Sequence, residues 1–394
     1  MPTFSLDMYQ TLAFAVAVLT FGSWFKRKVK FLETFCIPSP VVGGFIFSML
    51  SCILHVSGIL DFSFDETLKG ICMVVFFTSV GFQANFKILK SGGLSLVILL
   101  ICVLALILTQ NGLAIVLSKL LGVSPLVGLS TGSISMVGGH GTAGAFGPVL
   151  EDFGMSGATT LCTAAATFGL IAGSLMGGPI GRKLILKHDL LKTAKADTRP
   201  KEENIEHTKF FRMYAPAAYQ LAIAMGLGTI VSMLLSKTGM TFPIYIGAMI
   251  VAAIMRNLSE YSKKFDIHMA EISDIGAICL TLFLGIAMIT LKLWQLASLA
   301  LPLFILLCSQ AILMFLFAYF VVYNVMGRDY DAAILSAGVC GFGMGATPNA
   351  MANMYSLTHH FVPSVKPYLL VPIVGSMFAD FLNSLCITFF INQF

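Results

Sequence analysis

Two glycine-rich stretches interrupt this apolar chain: STGSISMVGGHGTAG at residues 130–144 and SAGVCGFGMGATPN at residues 336–349. Glycine destabilises a helix interior and Pro348 would break one, so neither stretch is compatible with a continuous helix. No strand pattern precedes either stretch, which excludes a nucleotide-binding glycine loop. Each stretch is therefore expected to interrupt helical structure.

The composition places both stretches within a membrane. Of the 394 residues, 57% are hydrophobic and 11% are charged, whereas soluble proteins contain about 25% charged residues. The apolar runs are about 20 residues long, which suits helices that cross a bilayer core of roughly 30 Å. The alternating segments of an outer-membrane barrel are absent. The net charge of +5 is interpreted as a determinant of membrane topology and does not indicate nucleic-acid binding.

The pattern predicts an all-α integral membrane protein with ten transmembrane helices. They are predicted at residues 6–25, 38–58, 67–85, 92–120, 156–181, 213–236, 241–256, 272–291, 296–324 and 367–391. The polar segment 182–212 divides them five and five. Placing this segment in the cytoplasm puts 20 of the 24 lysine and arginine residues inside, as the positive-inside rule requires. Both termini are then expected outside.

The equal division predicts two inverted repeats, residues 1–181 and 213–394, joined by the cytoplasmic linker 182–212. Two homologous halves with an odd number of spans must lie in opposite orientations, an arrangement frequent in secondary transporters. Glycines recur at an offset of 206 residues, for example Gly139 with Gly345. The order of elements also matches, because each half contains a long span, a glycine-rich stretch and a polar-studded span.

The glycine-rich stretches are expected to form re-entrant loops at about 124–150 and 330–355. A full span at either stretch would move the later loops to the opposite side of the membrane, and the excess of lysine and arginine residues inside would be lost. Unwound backbone at membrane depth is tolerated only where it is buried in protein or lines a wet cavity. The two loops are predicted to enter from opposite faces and to meet near the midplane.

Such loops offer helix N-termini for an anion, carbonyl groups for a cation and hydroxyl groups for either. His140 has small polar neighbours, so a hydrogen-bonding or substrate-binding role is favoured over proton relay. Thr163 and Thr167 belong to a hydroxyl stripe whose members can also bond their own helix. The candidate substrate-binding residues are Ser133, Ser135, Gly139, His140, Gly141, Thr142, Thr163, Thr167, Gly343, Gly345, Thr347 and Asn349.

A buried acid marks the last predicted span. Ser376, Asp380 and Asn383 have the spacing of one helix face. A carboxylate at mid-membrane costs about 2.5–3.5 kcal/mol on insertion scales, so a functional role is the default. No lysine or arginine is predicted in mid-span to neutralise Asp380, and a bound cation is therefore its expected partner.

A stripe of glycines lies on the fifth predicted span, with Gly169, Gly173, Gly177 and Gly181 at every fourth residue. Small residues at this spacing let two membrane helices approach closely. The stripe is therefore interpreted as a packing face against a neighbouring helix.

Several motifs together resemble the bacterial sodium/glutamate symporter family over nearly the whole chain. They lie at Pro38–Gly44, Gly138–Thr142, Ala166–Leu170, Leu291–Ala300, Cys340–Pro348 and Asp380–Asn383. The resemblance implies two inverted five-helix repeats with re-entrant loops and sodium-coupled uptake of L-glutamate through the bacterial inner membrane. It also implies a homodimer in membrane lipid with elevator-like motion, and no cofactor apart from sodium as the coupling ion. The expected sodium site comprises Asp380, Asn383 and Ser376.

Three alternatives to this function are open. A di- or tricarboxylate such as a 2-hydroxy acid could replace glutamate, although no basic residue in a span is available for a further carboxylate. A passive channel would share the membrane architecture, but broken helices around one carboxylate suit a small occluded site better than a pore. A membrane enzyme is the least favoured, since the sequence contains neither HExxH nor GxSxG.

Overall fold

The computed structural model describes residues 2–29, 38–85, 93–192, 211–237, 244–262, 265–294 and 299–393. Within these ranges, side chains are not described at residues 211–213, 236, 244, 348, 359, 376 and 377. Helices dominate the described chain, and one pair of short strands accompanies them.

The first half contains two strands and seven helices in the described ranges. These are β1 Thr3–Leu6, α1 Met8–Lys28, α2 Ser39–Val56, β2 Asp61–Phe64, α3 Thr67–Gln83, α4 Gly93–Leu120, α5 Pro125–Thr131, α6 Gly139–Asp152 and α7 Ala158–Lys187. β1 pairs with β2 in parallel, from Thr3 opposite Asp61 to Leu6 opposite Phe64. Since each strand leads directly into a helix, the pairing brings the starts of α1 and α3 to the same face.

The second half contains seven further helices in the described ranges. These are α8 Phe211–Ser236, α9 Ile244–Ser262, α10 Met269–Ile289, α11 Ala300–Val325, α12 Tyr330–Gly343, α13 Thr347–His360 and α14 Lys366–Ile391. Two of them contain π-helical turns, at Phe317–Val322 in α11 and at Ile373–Ala379 in α14.

Local sequence sets several helix starts. Asp7 caps α1 by accepting from the backbone N–H groups of Tyr9 and Gln10, and the Gln10 side chain accepts from the Asp7 N–H in return. Asp329 caps α12 by accepting from the Ala332 N–H at 2.7 Å. Ser124 caps α5, which begins with a proline that needs no N–H partner.

Eight of the ten predicted spans coincide with described helices that are long and apolar enough to cross a membrane. The remaining two predictions, 67–85 and 241–256, correspond to the helices Thr67–Gln83 and Ile244–Ser262, and residues 241–243 lie outside the described part. α3 has 17 residues, and α9 has 19 because it continues past the apolar run to Ser262. An ion pair one turn apart, Arg256 to Glu260 at 2.8 Å, accompanies this polar extension. The predicted span 296–324 begins in structure at Ala300, and residues 295–298 lie outside the described part.

The helices pack as two groups. The frame group comprises α1–α3 from the first half and α8–α10 from the second, and the core group comprises α4–α7 and α11–α14. Within the frame group, α3 and α10 pack against each other at the centre, with α1 and α2 beside α10 and α8 and α9 beside α3. Each half of the chain therefore contributes its first three described helices to the frame and the rest to the core.

The glycine stripe of α7 is a packing face, which confirms the interpretation from the sequence. A Cβ atom added at Gly169 would lie 2.5 Å from the Met344 carbonyl oxygen, and one at Gly173 would lie 2.7 Å from the Cys340 carbonyl oxygen. Added Cβ atoms at Gly177 and Gly181 would collide with side chains of α13. The stripe thus lets α7 lie directly against α12 and α13, the segment that contains the second glycine-rich stretch.

Candidate functional site

The first glycine-rich stretch is a break between two helices, and side chains from distant helices bond its backbone. α5 ends at Thr131 and α6 begins at Gly139. Asn111 of α4 accepts from the Ser133 N–H at 2.9 Å and donates to the Ser133 hydroxyl at 2.8 Å. Asn383 of α14 donates to the Ser133 carbonyl at 3.0 Å. The first break, residues 132–138, is therefore held on both sides by buried amides.

The second glycine-rich stretch also breaks a helix, but over three residues. α12 ends at Gly343 and α13 begins at Thr347. Gln110 of α4 donates to the Gly343 carbonyl at 2.9 Å, and Asn349 donates to the Leu170 carbonyl of α7 at 2.8 Å. The Asn349 Oδ1 atom is buried and has no hydrogen-bond partner among the described residues. The second break, residues 344–346, therefore retains an uncommitted acceptor beside it.

The two breaks touch each other, as the sequence predicted. Gly139 has a φ of +56°, and an added Cβ there would overlap the carbonyl oxygen of Gly345. Both features require glycine, since a left-handed conformation and a close backbone contact each disfavour a side chain. The contact brings the starts of α6 and α13 to one place.

A cavity of about 190 Å³ lies at this meeting point. It is lined by Pro38, Phe76, Val137, Gly138, Gly139, His140, Gly141, Leu170, Leu280, Leu284, Phe342, Gly345, Ala346, Thr347, Asn349, Gly375 and Asp380. This is smaller than the roughly 300–1,000 Å³ of drug-sized ligand sites, and it suits a small solute. Phe76, Leu280 and Leu284 come from the frame group, so the cavity lies between the two groups.

The electrostatics of the cavity come from helix ends and one acid. The first residues of α6 and α13, both helices of 14 residues, form part of the wall. Helix N-termini carry unpaired N–H groups and a partial positive charge, and they bind anions without a basic side chain. No lysine or arginine of the described chain lines the cavity, and its acidic lining residue is Asp380.

Asp380 directly follows the π-helical turn of α14. Single π-helical turns widen a helix locally and are frequent at functional sites. The Asp380 carboxylate makes no ion pair with a described residue. One turn later, Asn383 is fully buried, and its Oδ1 atom has no described partner although its amide nitrogen is bonded. Two acceptor side chains thus lie one turn apart on α14.

Seven of the predicted site residues line the cavity. These are Gly139, His140, Gly141, Gly345, Thr347, Asn349 and Asp380. The His140 ring lies with its Nε2 atom 3.0 Å from the Thr167 hydroxyl, so Thr167 adjoins the cavity through His140.

Other predicted residues are not among those that line the cavity. Ser135 donates to the carbonyls of Ser130 and Cys162, and Thr163 donates to the Thr159 carbonyl of its own helix. Ser133, Thr142, Gly343 and Asn383 are likewise buried away from the cavity wall. The side chain of Ser376 lies outside the described part of the structure.

The sequence did not predict the apolar part of the wall. Phe76, Leu170, Leu280, Leu284 and Phe342 each lie on an apolar helix and have no pattern that separates them from lipid-facing or core residues. Pro38 belongs to one of the motifs that resemble the family, and Gly375 lies in the last predicted span without a separate signal. These residues line the cavity because of how the frame and core groups pack together, and no local sequence pattern predicts that packing.

These features define a class: an integral membrane protein with a small cavity at the breaks of two helices, lined by the starts of two helices and by one acid, Asp380. The chain matches the family described as Sodium/glutamate symporter over residues 4–363. It belongs to the sodium/glutamate symporter family, and so to the transporters rather than the enzymes.

Individual relatives agree with this membership. The sodium/glutamate symporter of Haemophilus influenzae is 38% identical over 389 residues, which cover 97% of this chain and 96% of that protein. The sodium/glutamate symporter of Escherichia coli K12 is 38% identical over 394 residues, 98% of each chain. The structure of a sodium proton antiporter from Methanocaldococcus jannaschii aligns with 97% of this chain and 97% of that chain at 16% identity and a TM-score of 0.44.

Proposed function

We propose that this protein is a secondary active transporter that takes up L-glutamate with sodium across the bacterial inner membrane. The observation that carries the proposal is the cavity, where two helix N-termini and one carboxylate meet without a lysine or arginine among the described lining residues. The names of the relatives suggest which solutes such a cavity binds. A site with both a place for anions and a place for cations suits co-transport of the two.

The glutamate carboxylates are proposed to bind at the starts of α6 and α13. The N–H groups of the first turn of α6 have no partner within that helix, and they favour negative charge. At the start of α13, Thr347 supplies the N–H group, because Pro348 has none and the Asn349 N–H donates to the Ala346 carbonyl at 3.0 Å. Gly139 and Gly141 leave the start of α6 without bulky side chains, and Thr347 and Asn349 add polar groups at the start of α13. His140, held by Thr167, is proposed as a neutral hydrogen-bonding residue of the same site.

Sodium is proposed to bind at Asp380, with Asn383 and Ser376 as further oxygen donors. Sodium is a hard cation that favours oxygen ligands, and the buried Oδ1 of Asn383 has no other described partner. Glutamate carries a net negative charge, and Asp380 carries another when it is ionised. Two negative charges in one desolvated cavity repel each other strongly. Sodium binding removes this repulsion, which would couple the two solutes.

The topology is proposed to be two inverted repeats, 1–181 and 213–394, with both termini outside and residues 182–212 in the cytoplasm. The division of each half between frame and core supports the repeat. In the second half, the Tyr330 hydroxyl donates to the Val362 carbonyl at 2.6 Å, and Ser364 donates to Asp331 at 2.6 Å. These bonds bring the two ends of the α12–α13 pair together, as expected if it enters and leaves by one face.

Transport is proposed to involve an elevator-like movement of the core group along the frame group. Both broken helices and Asp380 belong to the core group, so the solutes would travel with it, and the frame contributes the apolar side chains Phe76, Leu280 and Leu284. The homodimer remains a proposal that rests on the family resemblance.

The proposal is tested by uptake of labelled L-glutamate into proteoliposomes that contain the purified protein. We expect saturable accumulation with an inward sodium gradient, little with choline in place of sodium, and loss of accumulation after an ionophore collapses the gradient. Non-saturable flux that ignores the gradient would instead indicate a channel. Preferential uptake of a 2-hydroxy dicarboxylate over glutamate would change the substrate but keep the mechanism.

A further inference from the structure

A second cavity, of about 300 Å³, lies away from the helix breaks where α3 begins, α10 ends and the α6–α7 connection passes. We call it the vestibule, and it is lined by Glu66, Lys69, Pro148, Glu151, Ser156, Gly157, Thr159, Thr160, Thr290 and Lys292. It contains two lysines and two glutamates, whereas the central cavity contains neither residue type among its described lining residues.

The vestibule lies on one side of the central cavity. Four helices contribute to both, in the pairs Lys69 and Phe76 on α3, Pro148 and Gly141 on α6, Thr160 and Leu170 on α7, and Thr290 and Leu284 at the end of α10. These pairs are six to ten residues apart, so at 1.5 Å per helical residue the vestibule lies roughly 10–15 Å from the cavity along the helices. A solute that left the vestibule along these helices would reach the site of the two breaks.

Some charged groups of the vestibule form ion pairs with other described residues, and others do not. Lys69 is about nine-tenths buried and is paired with Glu66. Lys292 and Glu151 are both exposed, and neither forms an ion pair with a described residue. Glu151 accepts from the Thr159 N–H at 3.0 Å, which fixes its carboxylate at the start of α7. One cation and one anion are thus available to a ligand.

The contacts also show that the vestibule joins the two helical groups. The backbone N–H of Lys292, just after frame helix α10, donates to the hydroxyl of Thr160 on core helix α7 at 3.2 Å. Glu66, Lys69, Thr290 and Lys292 belong to the frame side, and Glu151, Thr159 and Thr160 belong to the core side. The Lys292 side chain takes no part in this backbone contact and can be changed without removing it.

We propose that the vestibule is a capture site for acidic amino acids, which they occupy before entering the central cavity. An acidic amino acid has one ammonium group and two carboxylates. Glu151 complements the ammonium group, and Lys292 complements a carboxylate. The hydroxyl groups of Thr159 and Thr160 provide neutral hydrogen-bond partners for the other carboxylate. This inference rests on the proposed transport of glutamate and adds a second, earlier site.

The test measures sodium-driven glutamate uptake by proteoliposomes over a range of glutamate concentrations and at two concentrations of choline chloride. Lys292→Gln and Glu151→Gln are expected to raise KM about two- to fivefold with kcat unchanged, as for the loss of an exposed charge contact. Added choline chloride screens charge contacts and should therefore raise KM of the unmodified protein. Lys292→Gln already lacks one of these contacts, so its KM should depend less on the choline chloride concentration.

Two further variants make the outcome decisive. Lys292→Arg retains the charge and should keep KM near that of the unmodified protein. Lys119→Gln removes an exposed lysine at the end of α4, which does not line the vestibule, and should change nothing. Unchanged KM and salt dependence in Lys292→Gln and Glu151→Gln would overturn the capture site while leaving the transport function intact. An equal effect in Lys119→Gln would also overturn it. Absence of sodium-driven uptake by the unmodified protein would reject the transport function and this inference together.

Discussion

The two helix breaks are alike in composition but differ in how their polar groups are used. At the first break, Asn111 and Asn383 bond the N–H, hydroxyl and carbonyl of Ser133, and Ser135 bonds two carbonyls. At the second break, the residues after the gap face the cavity, and Asn349 keeps a free acceptor among the described residues. The hydroxyl groups of the first break, at Ser133 and Ser135, therefore support the backbone, whereas the second break leaves an acceptor of Asn349 for a ligand.

Helix α14 links the two breaks. Asn383 bonds the first break, while Asp380, one turn earlier, lines the cavity. Near the π-helical turn, an added Cβ at Gly375 would lie 3.3 Å from both Phe342 and the Thr347 hydroxyl oxygen, so this turn packs against the helices of the second break. One helix therefore supplies the support of one break and the charge beside the other.

The largest expected effect is that of Asp380→Asn. The amide keeps the shape of the side chain but cannot neutralise a sodium ion, so sodium-driven uptake should fall to the background of liposomes without protein. The protein should still insert and elute as the same species in size-exclusion chromatography. Asp152→Asn, an exposed acid at the end of α6, is the matched control and should transport normally. Near-normal sodium dependence in Asp380→Asn would mean that the carboxylate is structural and that sodium binds loop carbonyls alone.

The second-largest effect is expected for Gly139→Ala, because a side chain at this position would push the two breaks apart. A side chain at this position is strained by the positive φ and overlaps the Gly345 carbonyl. Uptake should fall by more than about tenfold, since a shift of about 1 Å in a positioned site can cost a factor of 10². Gly112→Ala, on α4 with nothing within 4 Å of the added Cβ, is the control and should keep full uptake. Normal transport by Gly139→Ala would show that the breaks need not touch.

A smaller effect is expected at the second break for Thr347→Val. Valine has nearly the shape of threonine but lacks the hydroxyl group. If this hydroxyl binds glutamate, its loss should raise KM about two- to tenfold, the equivalent of one neutral hydrogen bond. The thermal unfolding temperature in detergent should not change. A lowered unfolding temperature with unchanged KM would place Thr347 among the structural residues and weaken the contrast between the breaks.

The smallest effect on transport is expected at the first break for Asn111→Ala. This change removes both amide bonds to Ser133 and leaves buried polar groups without partners. Hydrogen bonds within membrane proteins contribute about 0.6–1.7 kcal/mol each, so the unfolding temperature should fall. KM for glutamate should stay within about twofold of the unmodified value, because a lost supporting bond has little effect on a ligand it does not touch. A large rise in KM without a loss of stability would instead make Ser133 a ligand-facing residue.

Much of the architecture could be predicted from the sequence because its signals are local or periodic. Long apolar runs predicted ten spans, of which eight coincide with described helices that are long and apolar enough to cross a membrane, and the glycine-rich composition identified both breaks. The spacing of Gly169 and Gly173 predicted a close helix contact, which the structure confirms with α12 as the partner. The cost of a carboxylate in a membrane singled out Asp380, which does line the cavity.

The selection of site residues within the breaks could not be predicted in the same way. Ser133, Ser135 and Thr347 are all small hydroxyl residues in glycine-rich surroundings, and the sequence offers no reason to separate them. Their difference depends on partners such as Asn111 and Asn383, which are 22 and 250 positions from Ser133. The apolar wall residues were missed for the same reason.

The sequence by itself determined where the helices run, where they break and which acid lies among them, because apolar length, glycine content and the energetic cost of a buried charge act at each position. The tertiary structure alone decided which polar groups remain available to a ligand. A hydroxyl or amide near a break is available only when no helix brings it a partner, and whether one does depends on the packing of residues far apart in the chain.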